Sequence, residues 1–184
     1  LAEMRVDADA IAGALLHDVC EDTNVTIADI QKEFGQEIAF LVSGITKLDK
    51  IKYRGTERNA ENLRKMFLAV AEDIRVVLIT LADRAHNMET LFHVAPEKRR
   101  RIALETLEIY APLAYRLGIG ELKGQLEDYA FPYVYPQEHQ WLTGHIKETF
   151  DERKVYTAQL IPELRRALEG EHILPLDIHA RAKH

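Results

Sequence analysis

Residues 8–23 read ADAIAGALLHDVCEDT, a run of small and apolar side chains that ends in a cluster of ionisable ones. The apolar side chains recur at intervals of three and four residues, which is the spacing of one face of an amphipathic helix. They are Ala8, Ile11, Ala12, Leu15, Leu16 and Val19. The pattern predicts a helix over 7–20 that begins at a capping Asp7 or Asp9.

Helical patterns continue on the carboxyl side of this stretch. Thr26 and Asp29 form a capping-box pattern that predicts the start of a helix, and Gly35 is a typical residue for its end. Further helices are predicted over 38–45, 60–72, 74–91, 96–118, 121–130 and 147–169, with a connector around Pro132 and Pro136 between the last two. No alternating strand pattern precedes residue 172. We therefore predict an all-α domain over 1–136, followed by a helical extension over 137–184.

The composition excludes several classes of protein. The chain has 184 residues, 47% of them hydrophobic and 29% charged, so it is not a disordered chain. The net charge of −6 argues against a DNA-coating role. The single cysteine, Cys20, excludes a disulfide framework. No segment resembles a membrane span or a signal peptide, so we expect a cytoplasmic protein that binds neither DNA nor membranes.

His17 and Asp18 are the first candidates for metal binding. An imidazole nitrogen beside a carboxylate oxygen suits Mn, Fe or Zn. Glu21 and Asp22 follow one helical turn later, so three carboxylates crowd one segment, and a divalent cation would relieve their repulsion. The simpler interpretation is that Glu21 and Asp22 cap the next turn and His17 makes a core hydrogen bond. For a His-Asp dipeptide alone, the simpler interpretation is favoured.

Asp83 lies at the polar edge of a very apolar helix. Asn87 is four residues further on and shares its side of the helix, and Thr90 continues that side by one turn. A carboxylate among apolar neighbours is costly to bury unless it is paired or binds a metal. The alternative is a surface ion pair of Asp83 with Arg84 or with another Arg or Lys. His86 lies off this side and is given a structural role.

Residues 46–58 concentrate basic side chains in an acidic chain. The segment is either a solvated loop, which is the usual outcome for a charge run, or a basic flap over an anionic ligand.

Longer stretches resemble a known family. They are ALLHDVCEDT (14–23), ITKLDKI (45–51), AENLRKMFLAVAEDIRVVLITLADRAHNMETL (60–91) and APLAYRLGIGELKGQLEDYAFPYVYP (111–136). Together they resemble the N-terminal hydrolase domain of bifunctional RelA/SpoT-type alarmone enzymes, within the HD-domain metal-dependent phosphohydrolases. The final IHARAKH (178–184) resembles the first residues of that family's synthetase domain.

The resemblance implies an HD-type helical bundle that hydrolyses the 3′-pyrophosphate of (p)ppGpp, releasing pyrophosphate and GDP or GTP. It implies Mn²⁺ held by two His and two Asp, of which His17, Asp18 and Asp83 are present. The family's Glu-Asp pair, which handles water and protons, matches Glu21 and Asp22. Which of the two takes and which gives a proton stays open.

The resemblance also implies substrate contacts. The family's substrate-contacting Asn and Thr match Asn87 and Thr90. An anionic substrate needs cations, and this context favours the basic flap, with Lys47 as the first choice and Arg84 as a second.

The chain departs from the family pattern at three places. The first metal-binding His and the guanine-binding basic segment of the family precede residue 1, so we expect that the sequence is a fragment. Glu89 stands where the family usually has Arg. The expected partners are (p)ppGpp and attached synthetase and regulatory domains, and self-association is left open. Two alternatives are an HD-superfamily nucleotidase for another nucleotide and a non-catalytic HD domain that regulates an attached synthetase.

Overall fold

The computed structural model describes residues 1, 4, 6–49, 72–146 and 150–180. Helices within these residues are α1 (Ala8–Leu16), α2 (Val19–Asp22), α3 (Ile27–Phe34), α4 (Gln36–Asp49), α5 (Ile74–Glu89), α6 (Pro96–Glu105), α7 (Ala111–Arg116), α8 (Gly120–Val134), α9 (Pro136–His145) and α10 (Phe150–Gly170). A 3₁₀ turn spans Leu91–His93 and a π-helical segment spans Thr106–Tyr110. These ranges contain no strand, which confirms the all-α prediction. The predicted helix over 60–72 and residues 50–58 of the basic segment lie almost entirely outside the described residues.

The helix ends follow the sequence signals. Asp7 caps α1 by accepting a hydrogen bond from the backbone N–H of Ala10 at 2.8 Å. The predicted capping box is confirmed: Thr26 Oγ1 accepts from the Asp29 N–H at 3.2 Å, and Asp29 Oδ2 accepts from the Thr26 N–H at 2.9 Å. Gly35, with a φ of +92°, ends α3 in the left-handed region that glycine tolerates.

Two predicted boundaries are wrong. The helix predicted over 7–20 is interrupted at His17 and Asp18, where the Asp18 ψ of −10° departs from helical values. The predicted connector is also helical, because Pro132 lies inside α8. A proline removes one helical hydrogen bond, but its neighbours Ala130 and Val134 are buried in the core, and their packing offsets that loss.

The described residues fall into two compact units, Leu1–Tyr135 and Pro136–His184. The core of the first unit is formed by fully buried side chains of α4, α5, α7 and α8, among them Leu41, Ile45, Ile79, Leu81, Leu113 and Leu126. A smaller apolar cluster joins α3 to α4 through Ile30 and Val42. The second unit contains α9 and α10. Among the described helices, none is both long and apolar enough to span a bilayer.

One arginine ties together the beginnings of three helices of the first unit. Arg75 Nη1 contacts Asp7 Oδ2 at 3.1 Å, at the start of α1. Its Nε contacts Asp73 Oδ1 at 3.0 Å, and Asp73 caps α5. Its Nη2 also pairs with Glu37, in the first turn of α4. Each carboxylate lies where a helix dipole favours negative charge, and the guanidinium screens their mutual repulsion.

This cluster predicts a pH-dependent loss of stability in an Arg75→Met variant. The hydrogen bonds from Arg75 hold the pKa of Asp73 below its ordinary value. A lowered carboxyl pKa stabilises the fold above the unfolded pKa of about 4, and that contribution disappears as the pH falls through the folded pKa. At pH 7 we therefore expect Arg75→Met to lower the free energy of unfolding by about 1 kcal/mol, because the pairs are partly exposed.

Urea unfolding of both proteins at pH 7 and pH 3 measures this effect, and the difference should shrink at pH 3. Arg100→Met, which removes an exposed arginine of α6, is the matched control and should stay within about 0.5 kcal/mol of the wild type. A loss for Arg75→Met that is the same at both pH values would show that packing, not charge, is responsible.

Candidate metal and hydrolase site

His17 lies at the break between α1 and α2, where its side chain meets two carboxylates. Its Nε2 is 3.1 Å from Asp18 Oδ2 and 3.4 Å from Asp83 Oδ1. Asp18 is the adjacent residue in the chain, whereas Asp83 comes from α5. The imidazole is mostly buried, with 18% of its side chain exposed. His17 therefore contacts both of the other residues predicted as metal ligands.

A backbone hydrogen bond fixes which imidazole nitrogen faces the carboxylates. His17 Nδ1 lies 2.7 Å from the Ala14 carbonyl oxygen. A carbonyl only accepts hydrogen bonds, so Nδ1 carries the proton, and the lone pair of the neutral ring is on Nε2. The core hydrogen bond that the simpler interpretation assigned to His17 is thus present, and it directs Nε2 toward Asp18 and Asp83.

Asp83 is held at the polar edge of a helix that is otherwise buried. The preceding turns of α5 carry side chains that are buried in the core, namely Val77, Ile79 and Leu81. Asp83 Oδ2 accepts a hydrogen bond from Asn87 Nδ2 at 2.8 Å, so the predicted i, i+4 relation is a direct contact. Burial raises the pKa of the Asp83 carboxyl, the proximity of His17 opposes this shift, and Asp18 adds to it.

The donor set of His17, Asp18 and Asp83 fits a divalent cation. With neutral His17, an unprotonated nitrogen and two carboxylate oxygens face one another, and all three are electron-pair donors. A mixed nitrogen and oxygen set suits Mn, Fe or Zn. Within the described part of the chain, no group of three or more His, Cys, Asp or Glu side chains is arranged so that it could hold a metal ion, so the fit rests on donor chemistry alone.

The other predicted site residues are at exposed or half-buried positions on α2, on α4 and at the end of α5. Glu21 and Asp22 are exposed residues of α2. Their backbone N–H groups each donate a hydrogen bond to the Asp18 carbonyl oxygen at 2.9 Å. Thr90 ends α5 and its hydroxyl donates to the His86 carbonyl at 3.1 Å. Lys47 is exposed in the last turn of α4.

Arg84 differs most from its predicted role. Its guanidinium is 17% exposed and is directed into the protein, where Nη2 donates to the Tyr110 hydroxyl at 2.7 Å. Its Cζ lies 4.0 Å from the centroid of the Tyr110 ring, and Nη1 is 3.7 Å from Glu105 Oε2. Burial would lower the pKa of Arg84, but Tyr110 and Glu105 outweigh it and raise the pKa. The surface pair between Arg84 and Asp83, considered as an alternative, is replaced by these buried contacts.

Sequence reasoning missed Glu105 and Tyr110 as partners of Arg84. Glu105 is mostly buried, and burial raises the pKa of its carboxyl while Arg84 and Arg101 oppose the shift. A charged residue within a mostly buried helical run is the signal that points to such a pair. The partner of Glu105 was not evident, because it lies on a different helix.

Comparison with known proteins places these residues in a family context. Residues 1–120 match the family described as HD domain. Over its whole length the chain is 47% identical to the bifunctional (p)ppGpp synthase/hydrolase SpoT of Escherichia coli K12. It is 46% identical to the guanosine-3′,5′-bis(diphosphate) 3′-pyrophosphohydrolase of Aquifex aeolicus and 46% identical to a GTP pyrophosphokinase of Myxococcus xanthus. The chain spans only 25–26% of the length of these curated relatives.

Proposed function

Because the chain belongs to the HD domain family, we propose that it is a hydrolase domain that removes the 3′-pyrophosphate of (p)ppGpp. The observation that carries the proposal is the contact of His17 with Asp18 and Asp83, which joins two helices through potential ligands. The names of several relatives, 45–48% identical over the chain, specify this activity. The products are pyrophosphate and GDP or GTP.

Mn²⁺ is the proposed cofactor, and His17, Asp18 and Asp83 are the residues that would hold it. When bound, the ion supplies a Lewis acid for the phosphoryl group and lowers the pKa of the attacking water. The Ala14 carbonyl orients the imidazole for this role by fixing the proton on Nδ1. Asn87 orients the Asp83 carboxylate through its second oxygen.

Glu21 and Asp22 are the proposed proton-transfer residues. Both are exposed next to Asp18, so solvent and substrate have access to them. The oxygen of water bonds to the phosphorus attached to the 3′ oxygen, and the bond between that phosphorus and the 3′ oxygen breaks. One carboxylate accepts the proton of water, and the leaving 3′ oxygen receives a proton and becomes a ribose hydroxyl.

Asn87, Thr90 and Lys47 are the proposed substrate contacts. The Thr90 hydroxyl donates to a carbonyl, so its lone pairs remain able to accept from a ribose hydroxyl. The exposed Lys47 ammonium suits phosphate oxygens. Arg84 was predicted to share this role, but its guanidinium is directed to Tyr110 and Glu105, and we assign it no contact with substrate.

The wider setting is proposed on the same basis. Relatives about four times longer than this chain suggest attached synthetase and regulatory domains. A cytoplasmic location fits a guanine-nucleotide substrate, and neither DNA nor a membrane is a proposed partner.

Pyrophosphate release from ppGpp by the full-length protein tests the proposal. We expect release with Mn²⁺, none after chelation, recovery on adding Mn²⁺ back, and a loss of at least about 10³-fold in Asp18→Ala. GTP and ATP serve as comparison substrates and should yield little product. Faster release of phosphate from them would favour the nucleotidase alternative. Synthesis without any hydrolysis, at every divalent metal tried, would favour the regulatory alternative.

A further inference from the structure

Arg84, which is next to Asp83 in sequence, has a side chain that is held by buried contacts. Arg84 combines a hydrogen bond to the Tyr110 hydroxyl, a contact with the Tyr110 ring and an ion pair with Glu105. Tyr110 is 3% exposed, and Glu105 has 13% of its side chain exposed. A buried guanidinium needs such partners, because an unpaired charge in the interior is costly.

The π-helical segment brings the two partners of Arg84 to one side of their helix. Glu105 directly precedes the π-helical segment Thr106–Tyr110. Tyr110 is the last residue of that segment and lies five positions after Glu105. In an α-helix, residues five apart differ in direction by about 140°. In a π-helix the hydrogen bonds join residues five apart, so those residues differ in direction by much less than they do in an α-helix. The additional residue in this turn therefore allows Glu105 and Tyr110 to meet the same guanidinium.

We propose that Arg84 is a positioning residue for the hydrolase site, and that Tyr110 and Glu105 hold it. Successive side chains of an α-helix differ in direction by about 100°, so fixing Arg84 fixes the rotation of α5 and with it the direction of Asp83. The inference rests on the proposed function in treating Asp83 as a residue of the reaction centre. It replaces the substrate contact predicted for Arg84 from the sequence.

The size of the effect follows from the geometry of a helix. A carboxylate lies about 6 Å from the helix axis, so a rotation of about 10° displaces it by about 1 Å. Displacements of this size lower catalytic rates by up to about 10²-fold. Residues that orient metal ligands typically change metal affinity by about 10- to 100-fold when they are replaced.

A Tyr110→Phe variant of the full-length protein tests the proposal, since it keeps the ring and removes only the hydroxyl. We expect kcat for pyrophosphate release from ppGpp to fall about 10-fold, KM to stay within about twofold, and Mn²⁺ affinity measured by calorimetry to fall about 10-fold. Tyr133→Phe is the matched control, because Tyr133 is a tyrosine of α8 that packs against the same core. That control should leave all three quantities unchanged.

Arg84→Lys provides a second variant, which keeps the charge but cannot reproduce the planar contact. It should show the same pattern as Tyr110→Phe, with a circular dichroism spectrum like that of the wild type. A raised KM with unchanged kcat and Mn²⁺ affinity would overturn the proposal in favour of a substrate contact. Unchanged kinetics, or equal losses in Tyr133→Phe, would also overturn it. If the wild type does not hydrolyse ppGpp, the proposed function fails. The inference is then decided by whether Tyr110→Phe and Arg84→Lys bind Mn²⁺ more weakly than the wild type does.

Discussion

Asp83→Asn should lower kcat for pyrophosphate release from ppGpp by at least about 10³-fold at saturating Mn²⁺. The substitution keeps the shape of the side chain and its capacity to hydrogen-bond Asn87, but it removes the negative charge that faces His17. We also expect calorimetry to show Mn²⁺ binding weakened by more than about 100-fold, because a neutral amide is a poor ligand for this class of ion.

Stability should respond in the opposite direction. Burial raises the pKa of Asp83, which means that the folded protein disfavours the ionised carboxylate relative to the unfolded chain. At a pH above the pKa of Asp83 in the unfolded chain, the negative charge of this carboxylate lowers the free energy of unfolding. At pH 7 without metal, Asp83→Asn should therefore unfold at the same temperature as the wild type or at a higher one.

The combination of lost activity and retained stability distinguishes a site residue from a residue needed only for folding. Asp9→Asn, which removes an exposed carboxylate from the first turn of α1, is the matched control and should keep its kcat within about twofold. An Asp83→Asn variant that retained more than a tenth of the wild-type kcat would show that this carboxylate holds no catalytic ion.

The second large effect concerns the close approach of α4 and α5. A Cβ atom on Gly44 would lie 2.9 Å from Cγ2 and 3.2 Å from Cγ1 of Val76, and Val76 is buried and stiff because it is branched at Cβ. Gly44→Val should therefore lower the free energy of unfolding by about 3 kcal/mol, through overpacking between the helices. Urea unfolding at pH 7 measures the change.

Two further variants make this prediction specific. Gly144→Val, in α9 where a new Cβ would meet nothing within 4 Å, should change stability by less than about 0.5 kcal/mol. Val76→Ala removes the methyl groups that clash with the new side chain, so the double variant should be more stable than the sum of the single losses predicts. Strict additivity of the two losses would place the origin of the effect elsewhere than in this contact.

Much of the helical framework was predictable because its signals are local. Asp7, Thr26 with Asp29, and Gly35 act within a few residues of their own positions, and each behaves as its pattern predicted. The contact between Asp18 and Asp83 through His17 was also anticipated, but only because the resemblance to a family linked two stretches that spacing alone could not bring together.

The features that sequence reasoning missed depend on long-range packing. Arg75 and Asp7 are 68 residues apart, and no local pattern indicates that they pair. The direction of Arg84 depends on a π-helical segment in a different part of the chain, and α8 continues through Pro132 because its neighbours are buried. In each case tertiary contacts outweighed the local preference of the sequence.

The joining of α1 to α5 has a consequence for the synthesis of the protein. Chains emerge from the ribosome N-terminus first, and His17 is made long before Asp83 and Arg75. While α1 alone has emerged, Asp7 lacks its partner Arg75, and His17 lacks its partner Asp83 from α5. The three proposed ligands, His17, Asp18 and Asp83, therefore come together only in a late step, when α5 leaves the exit tunnel and docks.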